Sequence, residues 1–140
     1  AKAELPYAFH ATPQALAAAS DFLVVITPGG AATRKMIDAS VLEALGPKGF
    51  LINVARGSVV DEAALIDALQ RKVIAGAALD VFENEPNVPE ALRAAGNVVL
   101  TPHIGSATQA TRQAMADRAF ANLQAHFAGQ PLPSAVPECR

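Results

Sequence analysis

Four short polar segments carry the side chains of this sequence that could do chemistry, and each segment follows an apolar run. They cover residues 27–30, 53–57, 80–86 and 101–106. In open α/β sheets, ligands bind beyond the carboxyl ends of the strands. If the apolar runs are strands, a guanidinium, several carboxylates and an imidazole share one edge of a sheet.

Arg56 and His103 suit chemistry on a small acid that carries a carbonyl group beside its carboxylate. The planar fork of Arg56 matches a carboxylate in bidentate fashion. His103 can take or give one proton near neutral pH, and a carboxylate beside it would favour the imidazolium and fix its tautomer. Because no side chain supplies a hydride, reduction of the carbonyl implies a nicotinamide cofactor.

Each of these residues, taken singly, also has a structural interpretation. An arginine after a strand usually faces solvent, as do glutamates in a proline-containing loop, such as Glu83 and Glu85. A histidine at a strand end is often only hydrogen-bonded. Their shared position at the ends of successive strands favours a site, because charged groups at buried strand ends need partners or ligands.

Metal and nucleophile chemistry fit less well. The histidines are His10, His103 and His126, and they form no Cys/His cluster at ligand spacing, so no metal site is predicted. His10 and His126 are interpreted as structural or surface residues. The segment Arg56-Gly57-Ser58 does not match the G-x-S-x-G pattern of a nucleophile elbow.

Short apolar runs alternate with helical patterns along most of the chain. The predicted strands cover residues 22–26, 50–54, 74–79 and 98–100. The predicted helices cover residues 14–19 after Thr12-Pro13, 40–45 before Gly46-Pro47, 62–70 after the cap Asp61, and 89–94. The runs lack polar alternation, which indicates parallel strands buried on both faces. The alternation predicts βαβ units and a largely parallel sheet in an α/β fold.

The last helix is predicted to differ from the others. Ser106 to Gln109 matches a capping box, and the helix runs to about Ala128 before the stop signal at Gly129. Ala116, Phe120, Leu123 and Phe127 mark one apolar stripe. Since the helix would exceed about 30 Å, which is longer than a crossover needs, we expect it to dock on another domain or chain.

Composition excludes several classes of protein. The chain has 140 residues, of which 51% are hydrophobic and 17% charged, with a formal net charge of −2. This is a globular profile without a basic cluster, so no nucleic-acid or membrane partner is predicted, and no apolar run is long enough to span a bilayer. The single cysteine, Cys139, and the absence of a signal-peptide layout favour a cytoplasmic location.

Several motifs resemble those of the D-isomer-specific 2-hydroxyacid dehydrogenases. They are Asn53-Val54-Ala55-Arg56-Gly57, Leu79-Asp80-Val81-Phe82 with Glu85-Pro86, Pro102-His103-Ile104-Gly105-Ser106, and the segment from Ser20 to Arg34. They stand in the family's order, and the resemblance covers about residues 20–130. Within the family, the sequence looks most like glyoxylate/hydroxypyruvate reductases.

The resemblance implies roles for three catalytic residues. Arg56 would bind the substrate carboxylate, and His103 would be the acid/base acting on the 2-oxygen. Glu85, directly before Pro86, would pair with His103 and hold it protonated for reduction. Formate dehydrogenases of this superfamily use an amide partner for the histidine, so Glu85 argues against that branch.

The resemblance also implies cofactor contacts. Asp80 would contact the nicotinamide carboxamide, Gly105 would sit against the nicotinamide, and Pro28 and the backbone of Val54 would line the cofactor site. The cofactor is NAD or NADP. The choice is set after the second strand of the complete domain, and that position falls just before Ala1, so the sequence leaves both open.

The implied fold is a partial Rossmann-type doubly wound parallel sheet, the second half of an NAD(P)-binding domain, with a long C-terminal helix. The G-x-G-x-x-G fingerprint that holds a pyrophosphate is absent from the chain. We expect residues 1–105 to be the partial NAD(P)-binding domain. Residues 106–140 would be the crossing helix and tail of the substrate domain. The chain starts at Ala1 without an initiator Met and looks like about the last two-fifths of a longer enzyme.

The first half of a doubly wound sheet supplies the neighbours of the strands predicted here. The chain is expected to start near the third strand of the domain, around Tyr7-Ala8-Phe9. Strand 22–26 then has an open edge, which invites pairing with another chain. We therefore expect residues 22–26 to be paired across an interface if the chain is stable alone, and a homodimer is predicted.

Three functions remain open at this point. The first is an oxidoreductase that transfers a hydride between NAD(P)H and a small 2-keto acid, glyoxylate or hydroxypyruvate, to give the D-2-hydroxy acid. The second is a nucleotide-dependent binding protein, because the family includes transcriptional corepressors that keep the same motifs. The third is that these 140 residues alone are an inactive part of the enzyme.

Overall fold

The computed structural model describes residues 6–136, and a parallel sheet of short strands lies at the centre of its first unit, residues 1–103. The strands are β1 (Phe22–Val25), β2 (Phe50–Asn53), β3 (Gly76–Leu79) and β4 (Val98–Leu100), in the order β1-β2-β3-β4 with every neighbouring pair parallel. The α/β fold with a parallel sheet is confirmed, although three of the strands are one or two residues shorter than predicted.

The register of the sheet aligns the ends of the strands. Val25 lies opposite Asn53, Asn53 opposite Leu79, and Leu79 opposite Leu100. Each of these residues is the last of its strand. The four polar segments predicted from the sequence therefore leave the sheet at one level and from one edge.

In the described residues, one helix precedes β1 and three helices connect the strands. They are α1 (Pro13–Ala18), α2 (Ala39–Leu45), α3 (Glu62–Gln70) and α4 (Glu90–Arg93), with 3₁₀ turns at Ala31–Thr33 and Gly57–Val59. The side chain of Thr12 accepts a hydrogen bond from the Ala15 N–H and that of Asp61 from the Ala64 N–H, as predicted. Gly46 ends α2 with φ +76°, a conformation that favours glycine.

The core lies on one face of the sheet. Leu23, Leu51 and Leu79 are buried there together with Leu42 of α2 and Leu65 of α3. Alternate residues point to the opposite face, where apolar side chains remain exposed: Phe22 by 61%, Val24 by 50%, Phe50 by 39% and Val99 by 65%. We call these four residues the open face.

The prediction that the strands are buried on both faces is therefore wrong for the residues that the structure describes. The apolar composition of both strand faces was interpreted correctly as the mark of a parallel sheet. However, the helices of residues 6–103 bury only the residues of the core face. The Phe22 and Phe50 rings stack on each other in the open face, with centroids 5.3 Å apart.

The predicted strand around Tyr7-Ala8-Phe9 is also wrong. Residues 6–10 form bends and irregular backbone, and the Tyr7 and Phe9 side chains are 78% and 67% exposed. A strand needs a hydrogen-bonded neighbour, and in the described part of the chain β1 pairs only with β2. The open edge expected for the strand that begins at Phe22 is present, because β1 is the outer strand of this sheet.

Residues 104–140 form a second compact unit, of which the structure describes residues 104–136. Its helix α5 (Gln109–Phe127) has 19 residues, or about 28 Å. Thr108 is the N-cap and accepts a hydrogen bond from the Thr111 N–H, so the predicted capping box at Ser106 is wrong. The backbone first turns at Ile104, whose carbonyl accepts from the Ala107 N–H, and this turn delays the start of the helix.

The predicted apolar stripe of α5 is exposed, with Phe120, Leu123 and Phe127 at 61%, 55% and 84%. The tail returns to the helix through Asn122, whose side chain bonds the Ser134 hydroxyl at 2.6 Å and the Ser134 N–H at 3.2 Å. Within residues 6–136, no helix is both long and apolar enough to cross a membrane. Cys139 lies outside the described residues.

Candidate active site

Arg56 is presented by a tight turn directly after β2. The side chain of Asn53, which is 1% exposed, accepts a hydrogen bond from the Ala55 N–H at 3.0 Å and donates one to the Arg56 carbonyl at 3.2 Å. A buried amide must be satisfied, and here the backbone of the turn satisfies both of its ends. The Arg56 side chain is exposed at the sheet edge, where its Nη1 also donates to the Ala55 carbonyl at 2.6 Å.

Gly57 joins this turn to the loop that follows β3. A Cβ atom at Gly57 would lie 1.9 Å from the carbonyl carbon of Phe82, so only glycine permits this approach of the two backbones. The Glu83 N–H in the same loop donates to the Glu62 carboxylate at 3.3 Å, and Arg34 bonds the Glu83 carboxylate at 3.2 Å. The Arg56 turn and the loop that carries Glu85 are thereby held in one arrangement.

Glu85 and His103 form a pair. Glu85 Oε2 lies 2.8 Å from His103 Nδ1, and Glu85 Oε1 accepts a hydrogen bond from the Phe82 N–H at 3.0 Å. Both carboxylate oxygens are thus oriented, and the second ring nitrogen of His103, Nε2, points away from the glutamate. The side chains of His103 and Glu85 are 50% and 36% exposed, so the pair is open to a ligand.

The pKa of Glu85 lies below its usual value of 4.5, mainly because His103 hydrogen-bonds to the carboxylate. The Phe82 N–H lowers this pKa further, burial opposes the shift, and the positive charges of His103 and then Arg56 add smaller effects. Glu85 is therefore a carboxylate at neutral pH, and it stands as a negatively charged acceptor beside His103 Nδ1. The contribution from Arg56 also places that guanidinium within electrostatic reach of the pair.

The backbone of His103 adopts the left-handed conformation, with φ +54°. Its N–H donates to the Thr101 carbonyl at 3.1 Å, which closes a tight turn at the end of β4. A non-glycine residue in this region of conformational space is uncommon and is often held there at functional sites. The turn directs the imidazole back toward Glu85.

Asp80 is buried at the end of β3, with 8% of its surface exposed. Its N–H donates to the Asn53 carbonyl at 3.0 Å, and its Oδ1 accepts a hydrogen bond from the Thr101 hydroxyl at 2.5 Å. A buried carboxylate at a strand end is the position predicted for a cofactor contact.

Pro28, Val54 and Arg56 line one groove of about 580 Å³ at the sheet edge. The Pro28 carbonyl accepts a hydrogen bond from the Thr33 hydroxyl at 2.7 Å, which fixes the loop after β1. Glu85 and His103 line a separate pocket of about 140 Å³ with Phe82 and Pro102. Gly105 lies in the second unit, and its predicted contact with the nicotinamide stays a prediction.

Asn53 and Thr27, which also lie at this edge, carried no role in the sequence interpretation. Asn53 shapes the Arg56 turn, and its position as a polar residue ending an apolar run was a usable signal. Thr27 carries a buried hydroxyl oxygen without a hydrogen-bond partner among residues 6–136. The sequence gives no signal for the unpaired Thr27 hydroxyl, because hydrogen-bond pairing depends on the folded structure. Within the same residues, no group of three or more His, Cys, Asp or Glu side chains could hold a metal ion.

The chain belongs to the D-isomer specific 2-hydroxyacid dehydrogenases: the model of their NAD binding domain matches residues 2–105. It is 52% identical over 131 residues to a glyoxylate/hydroxypyruvate reductase A of Arabidopsis thaliana, which covers 94% of this chain and 42% of that relative. It is 51% identical over 126 residues to a hydroxyphenylpyruvate reductase of Plectranthus scutellarioides, which covers 90% of this chain and 40% of that relative.

Among solved structures, the chain is similar to an NADPH-dependent glyoxylate/hydroxypyruvate reductase of Sinorhizobium meliloti in complex with NADP and malonate. The TM-score is 0.95 at 54% identity, over 99% of this chain and 44% of that one. The chain thus spans about two-fifths of the length of the relatives it matches. The family and the partial Rossmann-like sheet inferred from the sequence are confirmed.

The residues of this edge fit the dinucleotide that the family implies. Thr27, whose hydroxyl is unpaired among residues 6–136, lines the groove together with Pro28 and Val54. Val54 is 46% exposed, which leaves an apolar surface for a flat ring. These groups stand beyond the carboxyl ends of parallel strands, where such ligands bind.

Proposed function

We propose that the protein is an NAD(P)-dependent oxidoreductase that reduces a small 2-keto acid, glyoxylate or hydroxypyruvate, to the D-2-hydroxy acid. The hydrogen-bonded Glu85–His103 pair carries this proposal, because it would supply a proton donor at the carboxyl edge of the sheet, where the Arg56 guanidinium lies within electrostatic reach of Glu85. The similarity to reductases of these substrates supports the same substrate class.

Arg56 holds the substrate carboxylate and so fixes which carbon and oxygen face the pair. The hydride for the carbonyl carbon would come from the nicotinamide cofactor when it is bound. His103 donates its Nε2 proton to the 2-oxygen as negative charge develops there, and it regains a proton from solvent after product leaves. Glu85 orients the imidazole ring through the hydrogen bond at Nδ1.

Thr27, Pro28, Val54 and Asp80 are proposed to hold the cofactor, with Gly105 against the nicotinamide. Asp80 would accept a hydrogen bond from the carboxamide. These residues do not distinguish NAD from NADP, because the choice is set after the second strand of the complete domain.

The test uses the protein at its full natural length, with glyoxylate and hydroxypyruvate as substrates and the absorbance of NADH and NADPH as the readout. Oxidation of either cofactor supports the proposal and identifies the preferred one. Residues 1–140 are assayed in parallel, and we expect no turnover from them, because the G-x-G-x-x-G segment is absent. Failure of the full-length protein with both substrates, together with retained cofactor binding, would favour a corepressor-like binding protein.

Arg56→Ala checks the assignment of the substrate carboxylate. We expect the KM for the keto acid to rise by about a hundredfold, since a charge-assisted bidentate contact is lost. Arg71→Ala is the matched control, because Arg71 pairs with Asp67 on the surface of α3 at 2.9 Å, away from the sheet edge. An unchanged KM in Arg56→Ala would remove Arg56 from the site.

We also propose the domain organisation and assembly of the full-length protein. Residues 1–105 would be the second half of the nucleotide-binding domain, and residues 106–140 the crossing helix and tail of the substrate domain. The exposed stripe of α5 supports a docking role for that helix. A cytoplasmic homodimer is the expected form, and sedimentation of the full-length protein measures its subunit number.

A further inference from the structure

We propose that Thr101 is a positioning residue that orients the Asp80 carboxylate toward the nicotinamide cofactor and holds the turn that carries His103. The inference rests on the proposed function, and it concerns a residue to which neither the sequence motifs nor the family resemblance gives a role.

The Thr101 hydroxyl makes a short hydrogen bond to the Asp80 side chain. The Thr101 hydroxyl lies 2.5 Å from Asp80 Oδ1, and the carboxylate is almost fully buried. A hydroxyl that donates to a carboxylate oxygen makes a short hydrogen bond, and low exposure limits the competition from water. Because the hydroxyl has one proton, this bond also fixes the direction of that proton.

The backbone around both residues is already fixed, so the side-chain bond acts on the direction of the carboxylate. The Asp80 N–H donates to the Asn53 carbonyl at 3.0 Å, and the Thr101 N–H donates to the Leu79 carbonyl at 2.9 Å. With these main-chain atoms held by the sheet, Asp80 can vary only through its side-chain torsions. The hydrogen bond from the Thr101 hydroxyl restricts these torsions.

Thr101 is also one end of the His103 turn. Its carbonyl accepts the His103 N–H at 3.1 Å, and this bond accompanies the left-handed φ of +54° at His103. One residue therefore connects the proposed carboxamide contact, Asp80, with the proposed proton donor, His103. An ordered carboxylate would present one geometry to the carboxamide and avoid the cost of ordering it when the cofactor binds.

The test compares Thr101→Val with Thr101→Ser in the full-length protein. Valine keeps the shape and removes the hydroxyl, whereas serine keeps the hydroxyl. The Kd of NADH and NADPH is measured from the fluorescence of the reduced nicotinamide, without substrate. We expect the valine variant to raise the Kd about tenfold and the serine variant to stay within about twofold of the wild type.

Thr12→Val is the matched control, because the Thr12 hydroxyl also makes a hydrogen bond, to the Ala15 N–H at 3.2 Å, but caps α1. It should lower thermal stability and leave the Kd unchanged. An Asp80→Ala background gives a second check, since Thr101→Val should then add nothing to the Kd. If the valine variant does not fold, Thr101→Ala removes the same hydroxyl with less bulk.

The outcomes separate this role from the proposed function. A folded Thr101→Val protein that binds the reduced cofactor as tightly as the wild type overturns the role of Thr101 and leaves the proposed function intact. A wild-type protein that binds neither NADH nor NADPH overturns both. If Thr101→Val still raises the Kd when Asp80 is already alanine, the substitution acts through the fold and not through Asp80. That result would also overturn the positioning role of Thr101.

Discussion

Asn53 holds the backbone that carries Arg56 with both ends of its amide. Asn53→Asp keeps the acceptor for the Ala55 N–H but replaces the donor to the Arg56 carbonyl with an oxygen that repels it. We expect the KM for the keto acid to rise about tenfold, because the guanidinium is then held less firmly. Asn97→Asp is the control, since Asn97 also donates to a backbone carbonyl, that of Ala75, at the opposite end of the sheet.

The lowered pKa of Glu85 predicts that the free energy of unfolding decreases at acid pH. Its pKa in the folded protein is below 4.5, so its bonds to His103 and the Phe82 N–H stabilise the fold above that pH. This contribution is lost as the pH falls through the lowered pKa. The urea midpoint of the full-length protein should therefore fall more steeply below pH 4.5 than that of Glu85→Gln. Parallel pH profiles for the two proteins would contradict the prediction.

At the level of single residues, the sequence predicted the groups that carry charge and missed those that support them. Arg56, Glu85 and His103 were identified from charge and motif, and the structure brings Glu85 into contact with His103. Asn53 and Thr101 were not assigned roles, because a neutral side chain acquires a role only through the backbone or carboxylate that it meets in the fold. The roles of the identified residues remain predictions for kinetics to test.

Helix α3 follows the Arg56 turn, and its N-terminus depends on Asp61. The Asp61 carboxylate accepts from the Ala64 N–H at 3.4 Å and pairs with Lys35 at 3.2 Å, and its pKa is lowered mainly by Lys35. Asp61→Ala should lower the free energy of unfolding by about 1 kcal/mol, as measured by urea denaturation. Asp61→Asn keeps the capping oxygen and should lose less. Equal losses would mean that the Lys35 pair outweighs the cap.

The ends of the helices could be predicted from the sequence where neighbouring residues determine them. Thr12 and Asp61 cap the helices that they were expected to cap, and Gly46 ends α2. The predictions failed where the decision is not local. Ser106 and Thr108 are both good N-cap residues for α5. Thr108 is the N-cap in the structure, because the backbone forms a turn between Ile104 and Ala107 before the helix begins. The segment around Tyr7 does not form a strand, because no neighbouring strand in the described residues pairs with it.

The open face and the free edge of β1 make the 140-residue chain prone to association. Within residues 6–136, β1 has β2 as its one neighbour, and Val24 is 50% exposed. Light scattering of residues 1–140 should report more than one chain per particle. Val24→Lys should shift the mass toward the monomer, whereas Glu43→Lys, on the exposed side of α2, should not. A monodisperse wild-type monomer would exclude pairing of residues 22–26 across an interface.

For the molecule as a whole, the sequence predicted the sheet but not which face of it is covered. Continuous apolar runs indicate that a strand is built for burial on both faces. They do not say which segment covers each face, because coverage depends on chain that packs from elsewhere. Phe22 and Phe50 are the clearest case, since they have the composition of core residues and remain exposed in the described structure.

The left-handed backbone at His103 restricts what protein engineering can place there. At φ +54°, β-branched residues are strongly disfavoured, and Asn, Asp, His and Gly are the residues that tolerate the conformation best. A saturation library at position 103 should therefore contain few β-branched residues among its well-folded members. Aspartate is the one other ionisable side chain in that set. The backbone conformation at position 103 therefore limits which side chains could replace His103 as a proton donor.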